Sequence, residues 1–379
     1  MGQGSEKVET LLAAMAHDCT SCGECVRPCA FLQQQGTPAQ IARQGVTPAV
    51  LLSAYGCSLC GLCDAVCPEL LSPSSMFLAM RQQAASRKLF DLKPYQPWLT
   101  YEKLGSHPFF RRDLIPVGCT TVFFPGCSLP GTRPEAVRGL YRLLQQQDTT
   151  IGLVLDCCGK ISHDLGLTDC FEMIFMKLAH RLQAKGITRI LTACPGCSKI
   201  LRKHGSAFEV TSVYEELLEG QGLKEQGQGS GVKGQKTEAT DLAPCPLPLD
   251  PAVVVIHDPC PARFDHAQQQ AVRTLTTAVG YTIKEIPSHG ATTRCCGQGG
   301  MVEGCVPGTV KKESRLIAAE TGGSPVVSSC GACCETLAPT TPTAHIADLL
   351  TDTGSFTTQP ISSPKRWLNR LKLRFSRLS

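Results

Sequence analysis

The sequence predicts a small helical domain built around eight cysteines, followed by two copies of one α/β module. Two observations carry that expectation. Residues 1 to about 100 hold Cys19, Cys22, Cys25, Cys29, Cys57, Cys60, Cys63 and Cys67 among helix-like stretches. Residues 115 to 218 and 251 to 352 each alternate short apolar strands with helical segments, and each carries five cysteines in the same order.

In chain order, SPSSMFLAMRQQAASRKL reads as a helix with Pro73 near its start. In the second unit TTVFFPGC, IGLVLDCC and ITRILTAC read as strands, with PEAVRGLYRLLQQ and TDCFEMIFMKLAHRLQAKG as helices between them. Residues 219 to 250, rich in Gly, Gln and Lys and then in Pro, read as a flexible linker. PAVVVIHDPC, AQQQAVRTLTTAVG, YTIKEI and SPVVSSCGACC then repeat the alternation, which argues for parallel strands. A basic tail, residues 353 to 379, closes the chain.

The two α/β units are copies. Cys127 after one strand answers Cys260, Cys157–Cys158–Gly answers Cys295–Cys296–Gly, and Cys194/Cys197 answer Cys330/Cys333. Matching positions lie 133 to 138 residues apart, and VTSVYEELLE answers TAHIADLLTD.

With 379 residues and 42% hydrophobic content the chain can bury a core, so its 23 cysteines are not replacing one. The opening MGQGSEKVETLLAAMAHD lacks the apolar run of a secretory leader, and no stretch is long enough to span a membrane. The expectation is a cytoplasmic protein with reduced thiols, most of them holding metal. The net charge of +5 comes from the tail: its last 25 residues hold Lys365, Arg366, Arg370, Lys372, Arg374 and Arg377 and no acid. The remainder is nearly neutral, so no nucleic-acid partner is expected.

CTSCGECVRPC and CSLCGLCDAVC are both C-x2-C-x2-C-x3-C runs. Three thiolates spaced by two residues can wrap one face of an iron–sulfur cube, while the fourth serves the neighbouring cube. This assigns one 4Fe–4S cluster to Cys19, Cys22, Cys25 and Cys67, and a second to Cys57, Cys60, Cys63 and Cys29. Two structural zinc sites are the alternative. The 27 residues between Cys29 and Cys57 exceed a compact hairpin and favour an α-helical ferredoxin arrangement.

Five thiolates per module are too many for one zinc or one ordinary cube. Adjacent cysteines can direct their sulfurs to different irons of a larger cluster, and glycine after the pair lets the backbone fold over it. Here the chain resembles the cysteine-rich CCG domains of heterodisulfide reductase-type proteins. The order of units is similar to the fused catalytic subunit of the membrane-linked heterodisulfide reductase. It is similar also to the iron–sulfur subunits of glycolate oxidase and anaerobic glycerol-3-phosphate dehydrogenase.

That resemblance implies an α-helical ferredoxin domain (1–100) and two duplicated α/β CCG modules (115–218 and 251–352). It implies one or two further 4Fe–4S clusters, cubane or non-cubane, on Cys127, Cys157, Cys158, Cys194 and Cys197 and on Cys260, Cys295, Cys296, Cys330 and Cys333. The implied activity is an iron–sulfur oxidoreductase subunit whose paired sites reduce a disulfide-type acceptor. The rivals are an electron carrier serving a flavin-dependent glycolate, lactate or glycerol-3-phosphate dehydrogenase, and a non-redox zinc protein. The implied partner is a flavoprotein or a membrane cytochrome, because no dinucleotide or phosphate-binding motif is present.

SCGACC offers Cys334 as a competing ligand beside Cys333, while Cys119, Cys170, Cys245 and Cys305 read as ordinary thiols. His163–Asp164 and His257–Asp258 sit near ligand cysteines, suited to second-layer hydrogen bonding. In the tail, Trp367, Leu368, Leu371, Phe375 and Leu378 form an apolar stripe with Leu373 off it. That pattern suits peripheral membrane contact through residues 363 to 379 and a tail dispensable for the clusters.

Overall fold

The computed structural model describes residues 2–220 and 252–376. The linker expected at 219–250 lies almost wholly outside the described residues, as do Cys245, Arg377 and Leu378.

The N-terminal domain is helical up to residue 105. Helix Gly2–Asp18 packs on Pro73–Ser86 and on Pro38–Ala42 through a core that includes Leu12, Met15, Phe77 and Met80. Two short helices begin with a Thr-Pro pair. Thr37 accepts a hydrogen bond from the Gln40 amide, and Thr47 accepts one from Val50. Proline at the first helical position supplies the preset φ and lacks an amide the helix would leave unpaired. Helix Gln96–Gly105 crosses residue 100 and runs from this domain onto the next.

The first module is a five-stranded sheet of β1 (Arg112–Leu114), β2 (Thr121–Phe124), β3 (Gly152–Leu155), β4 (Arg189–Thr192) and β5 (Glu209–Ser212). Its order is β1-β3-β2-β4-β5, parallel except for β1. The second module has β6 (Val253–Ile256), β7 (Thr282–Ile283), β8 (Val326–Ser328) and β9 (Thr343–His345), all parallel, in the order β7-β6-β8-β9. Without β1, the two sheets have the same topology. Helices cover both faces of such strands, which is why VFF and VVI read as unbroken apolar runs.

The modules share one core. Phe123, Leu153 and Leu191 from the first sheet and Val254, Ile256 and Val327 from the second belong to a single buried cluster. The packing is reciprocal: helix Val213–Gly220 of the first module lies on His266–Ala278 of the second, and Ile346–Leu350 lies on Pro134–Gln147. A duplicated unit paired about an approximate twofold buries the same face twice. Arg133 of the first module ties the pair by ion pairs to Glu335 (3.0 Å) and Asp348 (2.7 Å) of the second.

The tail is a helix docked on the body of the protein. It forms helix Ser363–Phe375, as its pattern suggests, but docks on the short helix Ser128–Thr132. The inward residues are Asn369, Arg370 and Leu373. Asn369 donates to the carbonyl of Gly131 at 2.8 Å, and Trp367 stacks on Tyr101 and Phe110. Leu368 and Phe375 of the apolar stripe face outward.

Candidate metal centres

Both cysteine runs of the helical domain are bent in the same way. Ser21 and Gly23 have φ of +58° and +82°, and at the matching positions Leu59 and Gly61 have +50° and +70°. A left-handed residue before and after the second cysteine curls the loop so that three thiols can face one centre. For Leu59 that conformation is costly and persists only where the surroundings enforce it.

Cys19, Cys22, Cys25 and Cys67 line one hollow together, the fourth arriving from the other run. Cys29, Cys57, Cys60 and Cys63 line another. Among the described residues no three His, Cys, Asp or Glu side chains converge at single-ion distance. The thiols ring spaces rather than points. Burial pushes the Cys25 thiol up to about 11 and Cys60 to about 12, so a metal-free chain would hold these thiols protonated.

In each α/β module the five thiols form a chain of contacts. It runs Cys127–Cys157–Cys158–Cys197–Cys194 in the first. In the second it runs Cys260–Cys295–Cys296–Cys333–Cys330, with Cys260 to Cys295 at 3.8 Å and Cys296 to Cys333 at 3.4 Å. The adjacent cysteines therefore divide their outer contacts, one toward the cysteine after the first strand, the other toward the C-x2-C pair. Hydrogen bonds from Cys157 and Cys197 pull Cys158 down to about 6, and Cys333 pulls Cys330 down to about 7. Thiols that ionise so readily are suited to metal.

The glycine after each pair is left-handed, with φ of +78° at Gly159 and +91° at Gly297. Gly126 is also required: at φ +80°, a Cβ there would lie 2.9 Å from the Cys194 Cβ and 3.0 Å from the Cys197 Sγ.

The remaining sequence candidates fall outside these contacts. Cys334 is buried, with its thiol turned to the carbonyls of Ser328 and Ala344, so it does not compete with Cys333. Cys119 turns to the Thr121 carbonyl, Cys170 is exposed, and Cys305 lines the hollow of Cys29 and Cys57. The Nδ1 of His163 pairs with Asp164 at 2.8 Å, and Asp164 also holds Lys160. Asp258 accepts from Arg273 and from the Gly290 amide. These acids brace the loops rather than face the thiols.

Several residues around the sites went unread in the sequence. The Tyr101 hydroxyl donates to the Cys127 carbonyl at 2.8 Å, and Arg370 of the tail donates to the same oxygen at 3.0 Å. Glu102 is buried and accepts from the amides of Ile161 and Ser162, just beyond Cys158 and Gly159. Desolvation raises the affinity of that carboxyl for its proton. Nothing in a one-dimensional pattern marks a side chain aimed at a distant main-chain carbonyl.

The second hollow also contains Cys295, and Cys60 and Cys260 line one cleft with Phe264 and Lys199. The cysteine loops of the helical domain thus abut the second module directly.

A helical domain of two four-cysteine hollows joined to a duplicated five-thiol α/β unit defines a class of iron–sulfur protein. The 4Fe–4S dicluster domain family matches residues 15–71, and the cysteine-rich domain family (CCG) matches twice, at residues 121–202 and 254–338. The chain is similar to a subunit of the dihydromethanophenazine:CoB–CoM heterodisulfide reductase of Methanosarcina acetivorans, 24% identical over 83% of this chain and 86% of that one. The same subunit of Methanosarcina mazei is 23% identical, over 84% and 87%, and that of Methanosarcina barkeri 22%, over 83% and 86%. The chain is thus an iron–sulfur protein related to this heterodisulfide reductase subunit. Among the described residues no helix is long and apolar enough to cross a membrane.

Proposed function

We propose that the chain is the electron-delivering subunit of an oxidoreductase complex whose final acceptor is a disulfide. One 4Fe–4S cluster is assigned to Cys19, Cys22, Cys25 and Cys67, another to Cys29, Cys57, Cys60 and Cys63, and further clusters to the five-thiol sites of the two modules. When bound, such clusters carry electrons one at a time.

The observation that carries this reading is the hollow shared by Cys29, Cys57, Cys60 and Cys63 with Cys295. It orders the cysteine sets along the molecule. The exposed Cys22 marks the outer end, where a partner subunit would donate. The Cys57 set lies against the second module, and the first module joins the second through their common core. In each module two thiols ionise more readily than usual, Cys158 and Cys194 in the first and Cys295 and Cys330 in the second, one inside the thiol chain and one at its end. An acceptor whose two sulfurs must each take an electron fits two equivalent sites better than one. The relatives are subunits of a heterodisulfide reductase by name.

The test is a viologen assay on anaerobically purified protein carrying its full iron. Reduced methyl viologen should be reoxidised when small organic disulfides are added, and replacing Cys296 by Ser should abolish this. Prompt electron uptake from viologen without reoxidation by any disulfide would instead assign the chain as an electron carrier for a dehydrogenase partner.

A further inference from the structure

Four arginines are buried among the described residues, and only one of them has carboxylate partners. Arg133 pairs with Glu335 and Asp348, as the partly buried Arg273 does with Asp258 and Glu285. The other three do not. Arg81, Arg263 and Arg370 are 0%, 1% and 3% exposed, and none pairs with a carboxylate among the described residues. All three donate to carbonyl oxygens, and each reaches the carbonyl of a cysteine of the proposed sites.

Arg81, on helix Pro73–Ser86, donates to the carbonyls of Ala54 (3.0 Å), Tyr55 (3.3 Å) and Cys57 (2.5 Å). It also donates to the main-chain carbonyls of Asp164 of the first module and Gly300 of the second, both at 2.7 Å. Arg263 donates to the Cys60 carbonyl (3.0 Å) and to those of Ala291 and Thr293. Arg370 donates to the carbonyls of Cys127 and Gly105, both at 3.0 Å, with its guanidinium over the Tyr101 and Trp367 rings.

Carbonyls satisfy the donors of a guanidinium but do not cancel its charge. A buried cation without an anion is strongly disfavoured. The Asp164 carboxylate near Arg81 is already held by Lys160 and His163, so the balancing anion has to come from something else nearby. A cluster held by four thiolates is such an anion. Resting on the cluster assignment proposed above, we infer that Arg81, Arg263 and Arg370 are the fixed counter-charges of the clusters and set how readily those sites accept electrons. A permanent positive charge favours the state with one more electron, so it raises the reduction potential of the site it adjoins. Arg81 and Arg263 act on the Cys57 set, and Arg370 on the first module. Arg81 also couples that potential to the seating of both modules on the helical domain.

The test compares the unaltered holoprotein with Arg81→Gln, Arg263→Gln and Arg370→Gln and with the corresponding Lys variants, all purified anaerobically. Iron and sulfide are counted, and each cluster is titrated potentiometrically under EPR. Arg263→Gln and Arg81→Gln should shift a helical-domain cluster to lower potential. Arg370→Gln should shift a module cluster and leave the helical domain unmoved. The Lys variants should stay near the unaltered values. Loss of iron from a Gln variant but not from its Lys partner also supports the inference. Gln variants with full iron and unchanged potentials would overturn it, as would iron loss from Gln and Lys variants alike, which would indicate a role of shape. An unaltered protein without iron and sulfide would instead overturn the cluster assignment itself.

Discussion

Cys296 Sγ stands 3.4 Å from Cys333 Sγ, while its chain neighbour Cys295 meets Cys260 at 3.8 Å. Neither cysteine can replace the other, because each bridges to a different side of the site. Replacing either by Ser should abolish the spectrum of the second-module cluster. The Cys19 set should keep its signals, since its hollow includes no residue of either module. A normal spectrum in both single variants would remove the assignment.

Gly126 offers a test of the first module with an internal control. Gly126→Ala combines a left-handed φ with a Cβ inside the Cys194–Cys197 turn, and should cost more than the ~1 kcal/mol of conformational strain alone. Gly45→Ala, at φ +72° with open space around it, should show only that strain. Thermal melts and iron content should separate the two. Equal behaviour would mean that the turn yields easily.

The docked tail changes what truncation should do. A chain ending at Pro360 loses Leu373, Asn369 and the Arg370 bond to the Cys127 carbonyl. Leu373→Ala alone should cost about 2–5 kcal/mol. The truncated chain should melt earlier and lose iron from the first module first. An unchanged melt and iron count would show that the helix is an accessory.

The duplicated sheets were legible because buried parallel strands leave continuous apolar runs, and TVFF, GLVL and VVVI are such runs. The eight-cysteine hollows were legible because ligand spacing is a local property. The inward face of the tail was not. The stripe of Trp, Leu and Phe marks one face of the helix, but nothing local shows that Arg370 and Asn369 go inside, where carbonyls await them. Helix Thr309–Thr321 carries Lys311, Lys312, Glu313 and Arg315 near its start, and its short apolar face gave no signal. Strand β1 is three partly buried residues extended along the edge of β3.

On the outward side of the tail, Lys365, Leu368, Lys372 and Phe375 fall on one face, and Phe375 meets Phe109. Leu368, Phe375 and Phe109 are 51%, 66% and 54% exposed. Lysines beside aromatic and aliphatic side chains suit anionic lipid headgroups. The full chain should sediment with anionic vesicles at low salt and be released at high salt, and Phe375→Ser with Lys372→Glu should weaken this. Equal sedimentation of both proteins would exclude this face as the contact.

Iron and acid-labile sulfide per chain, measured on anaerobically purified protein, test the central claim most directly. The eighteen cysteines proposed as ligands, in four sites, predict up to about sixteen irons with matching sulfide, four per cluster. Stoichiometric zinc with little iron or sulfide would contradict the account.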